Sequence, residues 1–385
     1  MINLVSDTIN KQDINHLIKW LDQDPIPRLT KGSVTTQFEK EWAKKIGTKY
    51  SVYVNSGSSA ILLSLAALKY YNNGLKNNKI VVPNLSWATD VSSPFLLGYD
   101  ISLVDCNLQD LSVDLEELEK LFIAEEPAAF ILVSVLGFVP NMHKIIQLCK
   151  LYNVILLEDV CEGLGSKYKN QNLGTFGLAS YFSLYFGHHL STIEGGFINT
   201  NDEEYYNLLV SIRSHGWDRD CLPACRDSWR EEHGVDDFTG LYTFYYPGLN
   251  VRSTDLQAVI GREQIKKLDY ICKQRNLNFF LYKEQIPCCA IDGQREDDFV
   301  SNFAYPVLSP NRSNIIKRLK DNNVEVRPLI AGSMSKKPFL KKYIPGQHNK
   351  LYPNCDKIDD MGFYLPNHQD LTVDEIKFIS DIVNE

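Results

Sequence analysis

Between residues 51 and 200 the chain passes through seven short apolar stretches: "SVYV" (51–54), "KIVVP" (79–83), "ISLVD" (101–105), "AAFILVSVL" (128–136), "NVILLED" (153–159), "ASYFSLYF" (179–186) and "GGFINT" (195–200). Segments with helical patterning fall at 58–72, 86–97, 113–123, 141–152 and 202–214. Near-continuous apolar runs, rather than alternating ones, suit strands covered on both faces. Strands joined through helix-length segments need crossover connections, which predicts an α/β fold with a mostly parallel central sheet.

After about residue 250 the rhythm changes. A long helical pattern, "STDLQAVIGREQIKKLDYICKQRNLNFFLYKEQI", starts after Ser253 as its expected N-cap, and mixed short elements follow to residue 385. The expected organisation is a large α/β domain over 1–250 and a smaller α+β domain over 251–385. Hydrophobic residues at 44% and charged residues at 23% are ordinary for a globular chain. The net charge of −8 argues against nucleic acid as a partner, since that needs a concentrated basic face.

No apolar stretch is long enough to span a bilayer, and the N-terminal "MINLVSDTINKQDINHLIKWLDQD" lacks the basic-then-apolar order of a secretion signal. The nine cysteines include no C-x-x-C pair. Cys221 and Cys225 are four apart and Cys288-Cys289 are adjacent, with no second pair to complete a metal site. Reduced thiols, a cytoplasmic location, and no metal or membrane association are expected.

Four places could carry chemistry. In "VNSGSSAILLSL" a strand ends and Gly57, Ser58 and Ser59 open a helix. Free N–H groups, a glycine and adjacent hydroxyls there suit a phosphate, although a serine-capped helix explains the same letters. In "VILLEDVCEGLG", Asp159 and Glu162 follow a buried strand and so sit at its carboxyl end, where open α/β sheets bind ligands. A carboxylate there can pair with a protonated ring nitrogen of a cofactor, or be a plain solvated loop acid. Trp87 in "PNLSWATD" could stack on a planar ring or pack structurally. Asn250 and Arg252 in "YPGLNVRSTDLQA" are weaker signals.

Taken in order along the chain, these stretches resemble the DegT-type family of pyridoxal-phosphate-dependent sugar aminotransferases and dehydratases. So do "RLTKGSVTTQFEKEWAKKIGTKYSVYVNSGSSA", "LLEDVCEGLGSKYKNQNLGTFG", "FSLYFGHHLSTIEGG" and "RSHGWDRD". The resemblance implies the fold-type I, aspartate aminotransferase-like architecture. It implies that Asp159 pairs with the pyridine nitrogen and that Glu162 lies beside the cofactor ring. It places Trp87 against the ring face, and Gly57, Ser58, Ser59 and Ser183 around the phosphate. Asn250 matches a residue that reaches the phosphate from a neighbouring subunit, which implies a homodimer. By the same resemblance His215, Arg219, Arg327 and His368 are expected to bind substrate.

One departure matters more than any match. The aminotransferases of this family carry a cofactor-linked lysine six residues before the glutamate of the "EGG" turn; counting back six from Glu194 reaches His188. The sugar 3-dehydratases of the family share this "HH…EGG" pattern. An imidazole forms no stable imine, so the resemblance implies pyridoxal 5′-phosphate or pyridoxamine 5′-phosphate held without a covalent bond. It implies L-glutamate as amine donor and His188 as acid and base, with the ordinary histidine pKa near neutrality suiting both roles. The expected substrate is a nucleotide-linked 4-keto-6-deoxy sugar, by preference a GDP-linked mannose-type one. The expected product is a 4-keto-3,6-dideoxy sugar for O-antigen or other surface polysaccharide. His189 is expected to be structural. The absence of a C-x-C cysteine cluster excludes an iron–sulfur-assisted variant and its reductase partner. A nucleotide-sugar aminotransferase and a catalytically silent cofactor-binding sensor remain the alternatives.

Overall fold

The computed structural model describes residues 1–286, 291, 295 and 297–385; Cys288 and Cys289 lie outside the described residues. Seven strands form the central sheet: β1 (Tyr50–Val54), β2 (Lys79–Pro83), β3 (Asp100–Val104), β4 (Ala129–Val133), β5 (Ile155–Asp159), β6 (Ala179–Ser183) and β7 (Gly196–Thr200). Each expected strand is present. Their order across the sheet is β1-β7-β6-β5-β4-β2-β3, and only β7 runs antiparallel to its neighbours. All four residues of each strand after its first are buried in β1, β2, β3 and β5, which accounts for the continuous apolar runs.

Helices α1 (Lys11–Leu21) and α2 (Ser33–Ile46) precede the sheet, and α3 (Gly57–Leu68), α4 (Ala88–Leu96), α5 (Leu115–Glu125), α6 (Met142–Leu151) and α7 (Glu203–Ile212) follow its strands. The residues of α3 are apolar around most of its circumference, and accordingly Ala60, Ile61, Leu63, Leu65, Ala67 and Leu68 are all buried. The expected strand over 128–136 stops at Val133. A tight 3-10 turn follows at Val135–Gly137, with Leu136 in the left-handed region at φ +51°, because its N–H is turned toward the Glu162 carboxylate.

After α8 (Pro223–His233) come α9 (Asp255–Gln264) and α10 (Leu268–Gln285). The single long helix expected from Ser253 is thus two helices separated by a 3-10 turn at Ile265–Lys267, and its N-cap is Thr254, whose hydroxyl accepts the Gln257 N–H. A second sheet of β8 (Tyr305–Leu308), β9 (Arg327–Pro328) and β10 (Gly362–Leu365) has the order β8-β10-β9; the helix Pro353–Met361 packs against β8 and β10, and α11 (Arg312–Asp321) packs against the C-terminal helix Val373–Asn384. Two features cross the expected division at residue 250. Helix α9 packs on α1 and α2, and the N-terminus pairs with the second lobe through Ile2 and Val324. No helix among the described residues is long and apolar enough to cross a membrane.

Candidate active site

Because β1, β2, β4, β5 and β6 point the same way, their carboxyl ends share one edge of the sheet. There they open on a cavity of about 760 Å³. Its lining includes Ser56, Gly57 and Ser58 after β1, Trp87 after β2, Val133 at the end of β4, Asp159, Cys161 and Glu162 at β5, and Ser183 at the end of β6. Strand β7 runs the other way, so its amino end meets the same edge and brings the hairpin from Tyr185 to Glu194, with His188, into the wall. Phe303, Glu325, Arg327, Ile330 and Tyr364 complete it from the second lobe.

The phosphate-like corner is built by α3. Ser56 is its N-cap and accepts the Ser59 N–H at 3.0 Å, leaving the N–H groups of the first turn free of intrahelical partners. Ser58 Oγ shares a hydrogen bond with Thr89 Oγ1 at 3.0 Å. Gly57 and Gly196 are there because the chains touch. A Cβ on Gly57 would come within 2.8 Å of Ser183 Cβ, and one on Gly196 would sit 2.5 Å from the Ser56 carbonyl. This close approach is the reason for the second glycine of the "EGG" turn.

Acids dominate the floor. Asp159 is buried and accepts the Cys161 N–H at 2.8 Å. Burial raises its pKa from the usual carboxylate range, opposed chiefly by hydrogen bonds from Cys161. Glu162 Oε2 accepts the Leu136 N–H at 2.8 Å, and burial, with the nearby Asp159 charge, pushes its pKa up to about 7. Among the described residues no lysine lines the cavity.

His188 is half-buried, its ring 5.5 Å from that of Phe303, and its Nδ1 is shielded from solvent without a hydrogen-bond partner. Burial first, and then the charge of Arg275, lower its pKa to about 4. A lowered value favours the neutral imidazole at neutral pH, the form able to accept a proton. His189 is fully buried, with Nε2 3.1 Å from the Ser301 carbonyl, the backbone contact expected of a structural histidine.

The remaining sequence candidates lie in different places. Trp87 lines the cavity but is 56% exposed on this chain, and Arg327 is paired with Glu325 at 2.5 Å on the cavity wall. Ser59 is not among the lining residues; its hydroxyl accepts from Ser56 at 3.0 Å. His215, Arg219, Asn250 and His368 also lie outside the lining. His215 packs against Trp217 at 5.2 Å, the Arg219 guanidinium stacks 3.7 Å over the Trp217 ring, and Asn250 is exposed and accepts from Arg252. His368 is buried, and its Nδ1 accepts the Asp370 N–H at 3.3 Å.

Sequence reasoning missed several wall residues. Asn3, Leu4 and Val5 line the cavity, and Glu325 fixes them by accepting the Leu4 N–H at 3.0 Å while it holds Arg327. Asp90, one turn into α4, is 0% exposed behind Asp159. A carboxylate three residues after the Trp87 already singled out was the available signal.

The residues present fit a pyridoxal-type cofactor. A buried carboxylate with no ion-pair partner among the described residues suits a protonated ring nitrogen, and a helix start flanked by hydroxyls suits a phosphate. The comparisons agree. The chain is 32% identical to the GDP-4-keto-6-deoxy-D-mannose 3-dehydratase of Yersinia pseudotuberculosis over 100% of this chain and 99% of that one. It is 33% identical to the protein of the same name from Escherichia coli O55:H7, over 92% of each. It superposes at a TM-score of 0.88, with 31% identity and full coverage of both chains, on a crystal structure of GDP-4-keto-6-deoxymannose-3-dehydratase with a trapped PLP-glutamate geminal diamine. With residues 7–384 matching its pattern from end to end, the chain belongs to the DegT/DnrJ/EryC1/StrS aminotransferase family.

Proposed function

We propose that this protein is a 3-dehydratase of a nucleotide-linked 4-keto-6-deoxy sugar, with GDP-4-keto-6-deoxy-D-mannose the first candidate. It uses pyridoxal or pyridoxamine 5′-phosphate bound without a covalent link. The observation that carries the reading is His188 in the wall of a cavity lined by no lysine among the described residues. When bound, the cofactor supplies an electron sink for charge developing on the carbon next to its ring.

The chain's own residues do the rest. Asp159 would hold the charge on the ring nitrogen, and Glu162 would lie beside the ring. Gly57, Ser58 and Ser183, with Ser59 behind them, would hold the phosphate, and Trp87 would cover a ring face. His188 removes a proton at the reacting carbon and, as imidazolium, donates it to the departing C3 hydroxyl, which leaves as water. No amine stands by to reprotonate C4 and retain nitrogen on the sugar. The balanced outcome is sugar plus L-glutamate giving the 3-deoxy sugar, 2-oxoglutarate and ammonia. Arg327 on the wall is assigned to substrate, and so, from the family resemblance alone, are His215, Arg219 and His368, which lie outside this cavity's lining. Asn250 is assigned to the phosphate of a second copy in a homodimer, which suits its exposure and its distance from this cavity's lining.

The test is to incubate the protein with pyridoxal phosphate, L-glutamate and a panel of 4-keto-6-deoxy nucleotide sugars. Ammonia, 2-oxoglutarate and a deoxygenated sugar are expected together. An aminated sugar would make it an aminotransferase, and no 2-oxoglutarate at all would leave only a binding protein.

A further inference from the structure

Asp90 is 0% exposed. Its Oδ2 accepts the Trp87 N–H at 3.2 Å, while its Oδ1 is sealed from solvent and meets no N–H or O–H donor among the described residues. The neighbour within hydrogen-bonding reach is the Asp159 carboxylate, itself an acceptor. The titratable groups acting most strongly on the pair among the described residues are Cys161 and Glu162 after β5 and Tyr181 on β6, every one an acid; His188 and Arg327 line the same cavity but are not among them. Two carboxylates in such a place cannot both ionise, so one keeps a proton.

Geometry decides which. Asp159 accepts the Cys161 N–H at 2.8 Å, a shorter bond than Asp90 receives from Trp87, and this favours charge on Asp159. Burial and the Asp159 charge act on Asp90 in the same sense, raising it well above the usual carboxylate range.

We propose that Asp90 is a positioning residue that stays protonated at neutral pH and donates a hydrogen bond to Asp159, while its other oxygen holds the Trp87 backbone. One carboxyl then sets both the anion that meets the cofactor's ring nitrogen and the loop carrying the aromatic that covers the ring. The inference rests on the cofactor reading above, but the proton's location can be tested without cofactor.

Infrared difference spectra of the cofactor-free protein at pH 7, wild type minus D90N, should show the carbonyl stretch of a protonated carboxylic acid. An asparagine can donate to Asp159 and accept from Trp87 as the protonated acid does. The D90N protein should therefore bind pyridoxal phosphate with wild-type affinity and wild-type pH dependence. D90A should bind about fivefold or more weakly, the loss of one hydrogen bond. Absence of the acid band, or D90N binding as weakly as D90A, overturns the proposal. Failure of the wild type to bind the cofactor would instead remove the cofactor reading, and the infrared result would still locate the proton.

Discussion

Glu162 reaches back across the sheet edge to take the Leu136 N–H at 2.8 Å, tying the turn after β4 to the loop after β5. It does so in a setting that favours its protonated form, with a pKa of about 7 against an ordinary 4.5.

Linkage then fixes a sign. A carboxyl whose pKa is raised on folding favours the folded state below about pH 4.5, and that contribution is lost as pH rises through about 7. E162Q copies the protonated form, so the cofactor-free variant should match wild type at pH 4.5. It should exceed wild type at pH 8 by up to about 3 kcal/mol. Urea unfolding at the two pH values checks this; equal gains at both would refute it.

His188, neutral down to about pH 4, should show no titration near 6.5 in the free enzyme. Proton NMR of the imidazole resonances, assigned by comparison with H188N, reads this directly. The same variant should lose roughly 10²–10⁴-fold in dehydration while keeping cofactor binding. Unimpaired turnover would take the imidazole out of the chemistry.

Gly196→Ala should be disproportionately harmful for a single methyl group. The new Cβ would lie 2.5 Å from the Ser56 carbonyl and 2.6 Å from the Gly57 nitrogen, both backbone atoms. A stability loss of about 1–3 kcal/mol is expected, together with weaker binding of inorganic phosphate or pyridoxal phosphate as α3 is displaced. Calorimetry with and without ligand separates the two effects.

Arg213 is fully buried, donating to Glu39 at 2.6 Å, to the Tyr53 carbonyl at 3.0 Å and to Asp220 at 3.1 Å. Glu39→Ala would strand part of that charge and should cost about 3–5 kcal/mol, whereas substitution of an exposed acid such as Asp227 should cost under about 1 kcal/mol. Thermal denaturation of the two variants side by side provides the comparison.

The central sheet was readable because strands such as Lys79–Pro83 and Ile155–Asp159 are buried on both faces and must be apolar throughout. His188 was readable by counting back from Glu194, since the hairpin between β6 and β7 keeps that spacing local. What escaped depends on contacts distant in sequence. Nothing near Leu4 announces Glu325, 321 residues away. The break at Ile265–Lys267 has no glycine or proline to mark it. Tyr185 and Phe186 looked like strand by composition, yet both are exposed on the cavity wall, where the backbone has already left the ladder.

The seating of Asn3, Leu4 and Val5 against Glu325 has a practical side for anyone handling this protein. Because Glu325 holds both the Leu4 N–H and Arg327, any change at residues 3–5 alters the cavity wall itself. Binding constants obtained with residues 3–5 altered would report the wall as much as the pocket it closes.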